Sequence, residues 1–76
     1  MFDEIKSILI EELGVEEDMI TTDAELHGNL GVSSLEFLNV IIALEDAFNI
    51  SMDPDKLVKM KTVGDVVSYI ETLVKE

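Results

Sequence analysis

Apolar residues fall at helical spacing over several stretches of the chain and lose that spacing between the first two. The positions Phe2, Ile5, Ile8, Leu9 and Leu13 step by three and four, which predicts a helix with one buried face, stopped by Gly14. Over residues 33–48 the stripe Leu35, Leu38, Ile41, Ile42, Leu44 and Phe48, flanked by Phe37 and Val40, predicts a second helix. It is the most apolar helix and is therefore expected to sit against all the others. Asp53-Pro54-Asp55 supplies an N-cap and a first-turn proline, and so predicts a short helix through Met60, with Leu57 and Met60 three apart. Thr62-Val63-Gly64-Asp65 resembles a capping box with Asp in place of Glu, and opens a last helix striped by Val63, Val66, Val67, Ile70, Leu73 and Val74.

Residues 15–32 keep no period and are punctuated by Thr, Asp, Asn and Gly. They predict a long loop pinned to the core at Met19, Ile20, Leu26 and Leu30. Loops beyond about 12 to 15 residues are uncommon in compact domains and often functional. With no strand-like alternation and no repeat, the expected fold class is all-α. The architecture expected is a small four-helix bundle of three longer helices and one short helix, with a long first loop, as one domain over residues 1–76.

Composition narrows the function classes. Apolar residues make up 47%, enough for a core and too much for a disordered acidic tail. No apolar run approaches the ~20 residues that span a bilayer, and Met1-Phe2-Asp3-Glu4 is no secretory start. A soluble, cytoplasmic chain without stable membrane insertion is expected, and a monomer. Cysteine is absent, so disulfides, thiolate metal sites and cysteine nucleophiles are excluded. The formal net charge of −12, from 17 acids against five lysines, repels nucleic acid over a Debye length of roughly 8 Å and favours a basic protein surface as partner.

Catalytic and metal-binding sets cannot be assembled. His27 is the single histidine, has no clustered partner, and is expected to be a loop residue close to the Ser33-Ser34 turn. Tyr69 is expected to be partly buried with its hydroxyl at the surface. Lys56, Lys59 and Lys61 gather around the short helix, where they are expected to offset Asp53, Asp55 and Asp65 rather than form a second docking patch.

The stretch Leu30-Gly31-Val32-Ser33-Ser34-Leu35-Glu36 holds the candidate chemistry. Ser33 and Glu36 fit a capping box, in which the Ser33 oxygen accepts from the Glu36 amide while the Glu36 carboxylate reaches back to the Ser33 amide. Capping explains Ser33 and leaves Ser34 over. At the first helical position the Ser34 hydroxyl would lie beside free backbone amides at the positive end of the helix dipole, where a phosphate ester is electrostatically favoured. Serines at helix starts are also commonly structural, so local chemistry leaves both readings open.

The same stretch, continued through Ile50, resembles the signature of the acyl carrier protein family, whose motif Leu-Gly-x-Asp-Ser-Leu reads here with Ser33 in place of the aspartate. LGV at 13–15, ALEDAF at 43–48, DPDKL at 53–57 and KTVGDVVSYI at 61–70 fall in family order and spacing, so the resemblance covers essentially the whole chain. It implies an acyl-carrier-protein-like bundle in which Ser34 bears 4'-phosphopantetheine, whose terminal thiol holds an acyl or aminoacyl group as a thioester between enzymes. The partners implied are a phosphopantetheinyl transferase and acyl-loading and acyl-transfer enzymes with basic docking surfaces, in fatty acid, polyketide or specialised lipid synthesis. No catalytic role and no metal are implied.

The resemblance also implies that Glu36, Glu45 and Asp46 recognise partners, though on local chemistry they are equally a solvated helix face. Likewise it implies an acyl cleft at Leu44, Met52, Leu57, Met60, Val66 and Ile70, each of which taken alone reads as ordinary core. Leu57 is bulkier than the small residue often found at its position and would narrow that cleft. Exchanging Asp for Ser33 keeps the cap and removes a carboxylate from where the family meets its transferase and metal ion. Asn39 stands where relatives often have another acid. The alternative reading is a carrier-like acidic helical interaction module that is not phosphopantetheinylated.

Overall fold

The computed structural model describes residues 2–74. Four helices occur in the order α1 (Phe2–Leu13), α2 (Ser34–Phe48), α3 (Pro54–Leu57) and α4 (Val63–Val74), with one 3₁₀ turn, Glu17–Met19, in the long first connection. Pairing between extended segments is limited, among the described residues, to a single antiparallel bridge between Glu25 and Thr62. The fold is thus an all-α bundle of three longer helices and one short one. None of the described helices is long and apolar enough to cross a membrane.

One hydrophobic cluster joins all the elements. Ile5 and Leu9 of α1, Ile20 and Leu26 of the loop, Val40 and Leu44 of α2, and Val63, Val66 and Ile70 of α4 are almost wholly withdrawn from solvent. Each such side chain contributes roughly 1.5–3 kcal/mol of transfer free energy. No buried side-chain polar atom lacks a hydrogen-bond partner among the described residues.

The inward face of α2 differs from the expected stripe. Val40, Ile41 and Leu44 are buried and Phe37 and Phe48 half-buried, whereas Leu35, Leu38 and Ile42 are 68%, 53% and 55% exposed. At about 100° per residue the exposed trio forms a second apolar stripe roughly 130° round the helix from the first. A helix apolar on two faces does not announce which one turns inward. Packing against α1 and the shared cluster decides it for the Val40 and Leu44 side.

The loop is anchored at Ile20 and Leu26, with Leu30 half-buried, but Met19 is 45% exposed and Ala24 and Val32 are buried instead. Met19 ends the 3₁₀ turn, and the next residue, Ile20, fills the core position. Three backbone bonds strap this loop to the approach and first turn of α4: Leu26 N–H to the Lys61 carbonyl at 2.8 Å, Val63 N–H to Ala24 at 3.0 Å, and Gly64 N–H to Thr22 at 2.8 Å. A Cβ at Gly64 would lie 2.7 Å from the Thr22 carbonyl oxygen, so the close approach requires glycine there.

Acidic side chains close the helix ends. Asp53 accepts from the Asp55 amide at 2.9 Å and caps α3, which stops at Leu57 rather than running through Met60. Beyond it the bonds tighten to three-residue turns, Lys59 N–H to Lys56 and Met60 N–H to Leu57, both 3.2 Å. The Tyr69 hydroxyl accepts from the Asp53 amide at 2.9 Å, and Lys56 lies over its ring, so half-buried Tyr69 pins α3 to α4. Before α4, the Asp65 carboxylate accepts from the Lys61 amide (2.9 Å) and the Thr62 amide (3.1 Å), while Thr62 Oγ1 accepts from the Asp65 amide (3.1 Å). The expected capping box is present and reaches one residue further.

Two expectations test this packing. Leu44→Ala should lower stability by about 2–5 kcal/mol in chemical denaturation, whereas Leu35→Ala should change it by no more than about 0.5 kcal/mol; equal losses would restore the single-stripe picture of α2. The Lys61 and Thr62 amides hold the Asp65 carboxyl below the usual carboxylate range. A lowered folded-state pKa stabilises the fold above the unfolded value of about 3.9, and that stability is lost as pH falls through the folded pKa. Asp65→Asn keeps an acceptor and loses the charge, so its melting midpoint should fall less steeply below pH ~4 than that of the parent.

Candidate functional site

The turn into α2 is built from the loop. Gly31 adopts φ +63°, a left-handed conformation that favours glycine. Val32 is buried and its amide bonds to the Leu26 carbonyl at 2.8 Å, which fixes where the helix begins. Ser33 is extended (φ −80°, ψ 168°) and caps α2 with both halves of the box in place: Ser33 Oγ accepts from the Glu36 amide at 3.1 Å, and Glu36 Oε1 accepts from the Ser33 amide at 3.0 Å.

Ser34 is the first residue of α2, is exposed, and enters no side-chain hydrogen bond with the described residues. The two serines are therefore chemically distinct. Ser33 has its oxygen engaged, and Ser34 offers a free hydroxyl at the amide-rich end of a 15-residue helix.

Beside Ser34 opens an apolar cleft of about 570 Å³ between α2 and α3. Ser34, Phe37, Leu38 and Ile41 form one wall, Pro54, Leu57, Val58 and Met60 the other, with His27 and Lys61 also lining it. Of the six residues expected to line an acyl cleft, Leu57 and Met60 lie in it. Leu44, Met52, Val66 and Ile70 belong to the packed interior, from 0% to 5% exposed. Helical spacing identifies the inward face and carries no information on whether space remains behind it. A smaller hollow of about 340 Å³ borders the 3₁₀ turn and is lined by Asp18, Met19, Thr21, Asp23, Ala24 and Asn29, with neither serine.

The three candidate docking acids separate. Glu36 and Asp46 are exposed, Glu36 with one oxygen on the Ser33 amide. Glu45 is half-buried and its Oε2 accepts from the Met52 amide at 2.7 Å, so it fastens the α2–α3 connection rather than standing free on the surface.

His27 lies in the loop close to the Ser34 turn, as expected. Its Nδ1 is hydrogen-bonded to the Val32 carbonyl, and its ring meets Phe37 edge-on with centroids 6.1 Å apart at 60°. Phe37, Val58 and Lys61 were not assigned to a cleft. Their sequence separations follow no period, and only the strap between the loop and α4 brings them together. No cluster of three or more His, Cys, Asp or Glu able to hold a metal occurs among the described residues.

The site thus consists of an exposed, unbonded serine that opens α2 beside an apolar cleft. Residues 3–70 match the phosphopantetheine attachment site family. The chain is 42% identical over 71 residues to an acyl carrier protein of Thermotoga maritima, covering 93% of this chain and 88% of that protein. It is 44% identical over 71 residues to an acyl carrier protein of Exiguobacterium sibiricum, covering 93% and 90%. A solved structure from Mycobacterium tuberculosis, provisionally described as an acyl carrier protein, superposes with a TM-score of 0.88 at 30% identity, covering 93% of this chain and 95% of that one.

The chain belongs to the phosphopantetheine attachment site family, among the acyl carrier proteins. It is a non-catalytic carrier with covalently attached 4'-phosphopantetheine, and its family works with a phosphopantetheinyl transferase and acyl-handling enzymes.

The division of labour between the serines has a stability signature. Ser33→Ala should cost about 1 kcal/mol in denaturant unfolding of the apo protein, and Ser34→Ala should stay within about 0.5 kcal/mol of the parent.

Proposed function

We propose that Ser34 carries the 4'-phosphopantetheine arm and that residues 1–76 act as one monomeric, cytoplasmic carrier domain. It would present acyl or aminoacyl groups to successive enzymes of fatty acid, polyketide or specialised lipid synthesis. The observation that carries this reading is the contrast at the start of α2: the Ser33 oxygen is engaged in the cap, while the Ser34 hydroxyl is exposed and unbonded. The residues present fit the group, since a phosphoester on Ser34 would sit at a helix N-terminus and meet no side chain that must first be displaced. When bound, the arm supplies the thiol on which cargo is held as a thioester, which a chain without cysteine cannot supply itself.

The chain's own residues provide attachment, orientation and encounter. In loading from coenzyme A, Ser34 Oγ would bond to the phosphorus next to the pantetheine as the pyrophosphate linkage breaks, releasing the hydroxyl proton and adenosine 3',5'-bisphosphate. The Ser33–Glu36 box holds the first turn of α2 rigid beneath the attachment point. Leu57 and Met60 offer apolar wall beside it, and Leu44, Met52, Val66 and Ile70 stand behind that wall as the depth cargo would reach if α2 and α3 parted. Met52 and Met60 are flexible enough to repack on such opening. Exposed Glu36 and Asp46 would steer the domain onto basic partner surfaces, and Glu45 would support that face by holding the connection after α2.

Intact-mass measurement after incubation with coenzyme A and a phosphopantetheinyl transferase tests the assignment. The expected result is one 4'-phosphopantetheine increment in the parent and in Ser33→Ala, and none in Ser34→Ala. An increment that survives Ser34→Ala would overturn it, as would no increment with any of several transferases. The latter result would leave an acidic interaction module.

A further inference from the structure

We propose that His27 is the contact for the phosphodiester of the arm, holding the arm's base against the cleft when the imidazole is protonated. The inference rests on Ser34 as the attachment residue. Its starting point is an oddity of charge: in a chain of net charge −12, the two side chains lining the Ser34 cleft that can bear charge are His27 and Lys61, both capable of positive charge.

His27 is held from two sides. A carbonyl oxygen can only accept, so the Nδ1 contact with Val32 places a hydrogen on Nδ1, and the edge contact with Phe37 fixes the plane of the ring. Nε2 has no hydrogen-bond partner among the described residues. Protonation at Nε2 therefore creates a charged donor without breaking the Nδ1 bond or turning the ring. Val32, which receives the Nδ1 hydrogen, stands two residues before Ser34 in the turn that sets the serine, so ring and attachment point move as one unit.

Lys61 is brought alongside by the bond from the Leu26 amide to its carbonyl, one residue from His27. It brings a second basic side chain to the same cleft. The nearby carboxylates are engaged with backbone: Glu36 on the Ser33 amide, and Asp65 on the Lys61 and Thr62 amides. Glu25, on His27's own loop, packs its side chain against Gly28. α3 lines the cleft with Pro54, Leu57 and Val58, none of them charged. A phosphodiester carries a single negative charge, and an imidazolium is a charge-assisted donor suited to it. With His27 protonated the base of the arm would be held at the cleft, and with His27 neutral it would be free to swing.

The phosphorus reports on this directly. In the loaded carrier, the 31P resonance of the diester should move along a single-proton curve as pH is varied, and that movement should be lost in loaded His27→Gln. Independently of any variant, loaded protein at pH 5.5 should give nuclear Overhauser contacts from the His27 ring to the arm methylene next to the phosphate, weakened at pH 8. A flat 31P profile in the loaded parent, a profile unchanged in His27→Gln, or absent ring-to-arm contacts overturns the proposal while leaving Ser34 loading, read separately by intact mass, in place. A protein that never gains the mass increment overturns both.

Discussion

Burial of the Val40, Ile41 and Leu44 face of α2 is the constraint on which the rest depends. These side chains share one cluster with Ile5 and Leu9 of α1 and Val63, Val66 and Ile70 of α4. Because α2 is apolar on two sides, its rotation could have been set either way, and the direction chosen decides everything at its N-terminus. With Leu44 inward, Ser34 faces solvent at the edge of the cleft, and Leu35, Leu38 and Ile42 are left outside. The turn before α2, strapped through Leu26 and Val32, then holds that orientation at its base.

Acidity is used twice in this chain. Glu36, Glu45, Asp53 and Asp65 each accept from backbone amides at a helix start or connection, so part of the excess negative charge completes hydrogen bonds that the helix ends would otherwise lack. Glu36, Asp53 and Asp65 also lie where the helix dipole is positive, whereas Glu45, in the last turn of α2, is held by the Met52 amide. The remaining acids are exposed and set the long-range field. Against that field the positive side chains near the cleft stand out, and they sit where a phosphate-linked arm on Ser34 would begin.

Much of the fold was legible in residue order. Helix spacing located the three longer helices and the Asp53-Pro54 start located the short one, and the Ser33–Glu36 and Thr62–Asp65 boxes were readable because capping depends on residues three apart. The singling out of Ser34 came from the motif around it, and the exposed, unbonded hydroxyl gives that position a physical meaning. Less legible were Met19, displaced outward by a 3₁₀ turn, and Glu45, whose role in holding Met52 depends on a chain reversal seven residues long. Of the six residues expected at an acyl cleft, Leu57 and Met60 line the open cleft, and Leu44, Met52, Val66 and Ile70 are buried behind it.

By itself the sequence determined that the chain is acidic and helical, where its helices begin, and which serine is free of the cap, because these follow from local spacing and from the chemistry of single residues; the carrier role was legible through the motif the chain shares with its family. Tertiary structure decided which of two apolar faces of α2 turned inward, which acids remained free, and that His27, Phe37 and Lys61 meet beside Ser34. The physical reason is that rotation of an ambivalent helix and closure of an unpatterned loop are settled by packing between distant segments, and no local period encodes them.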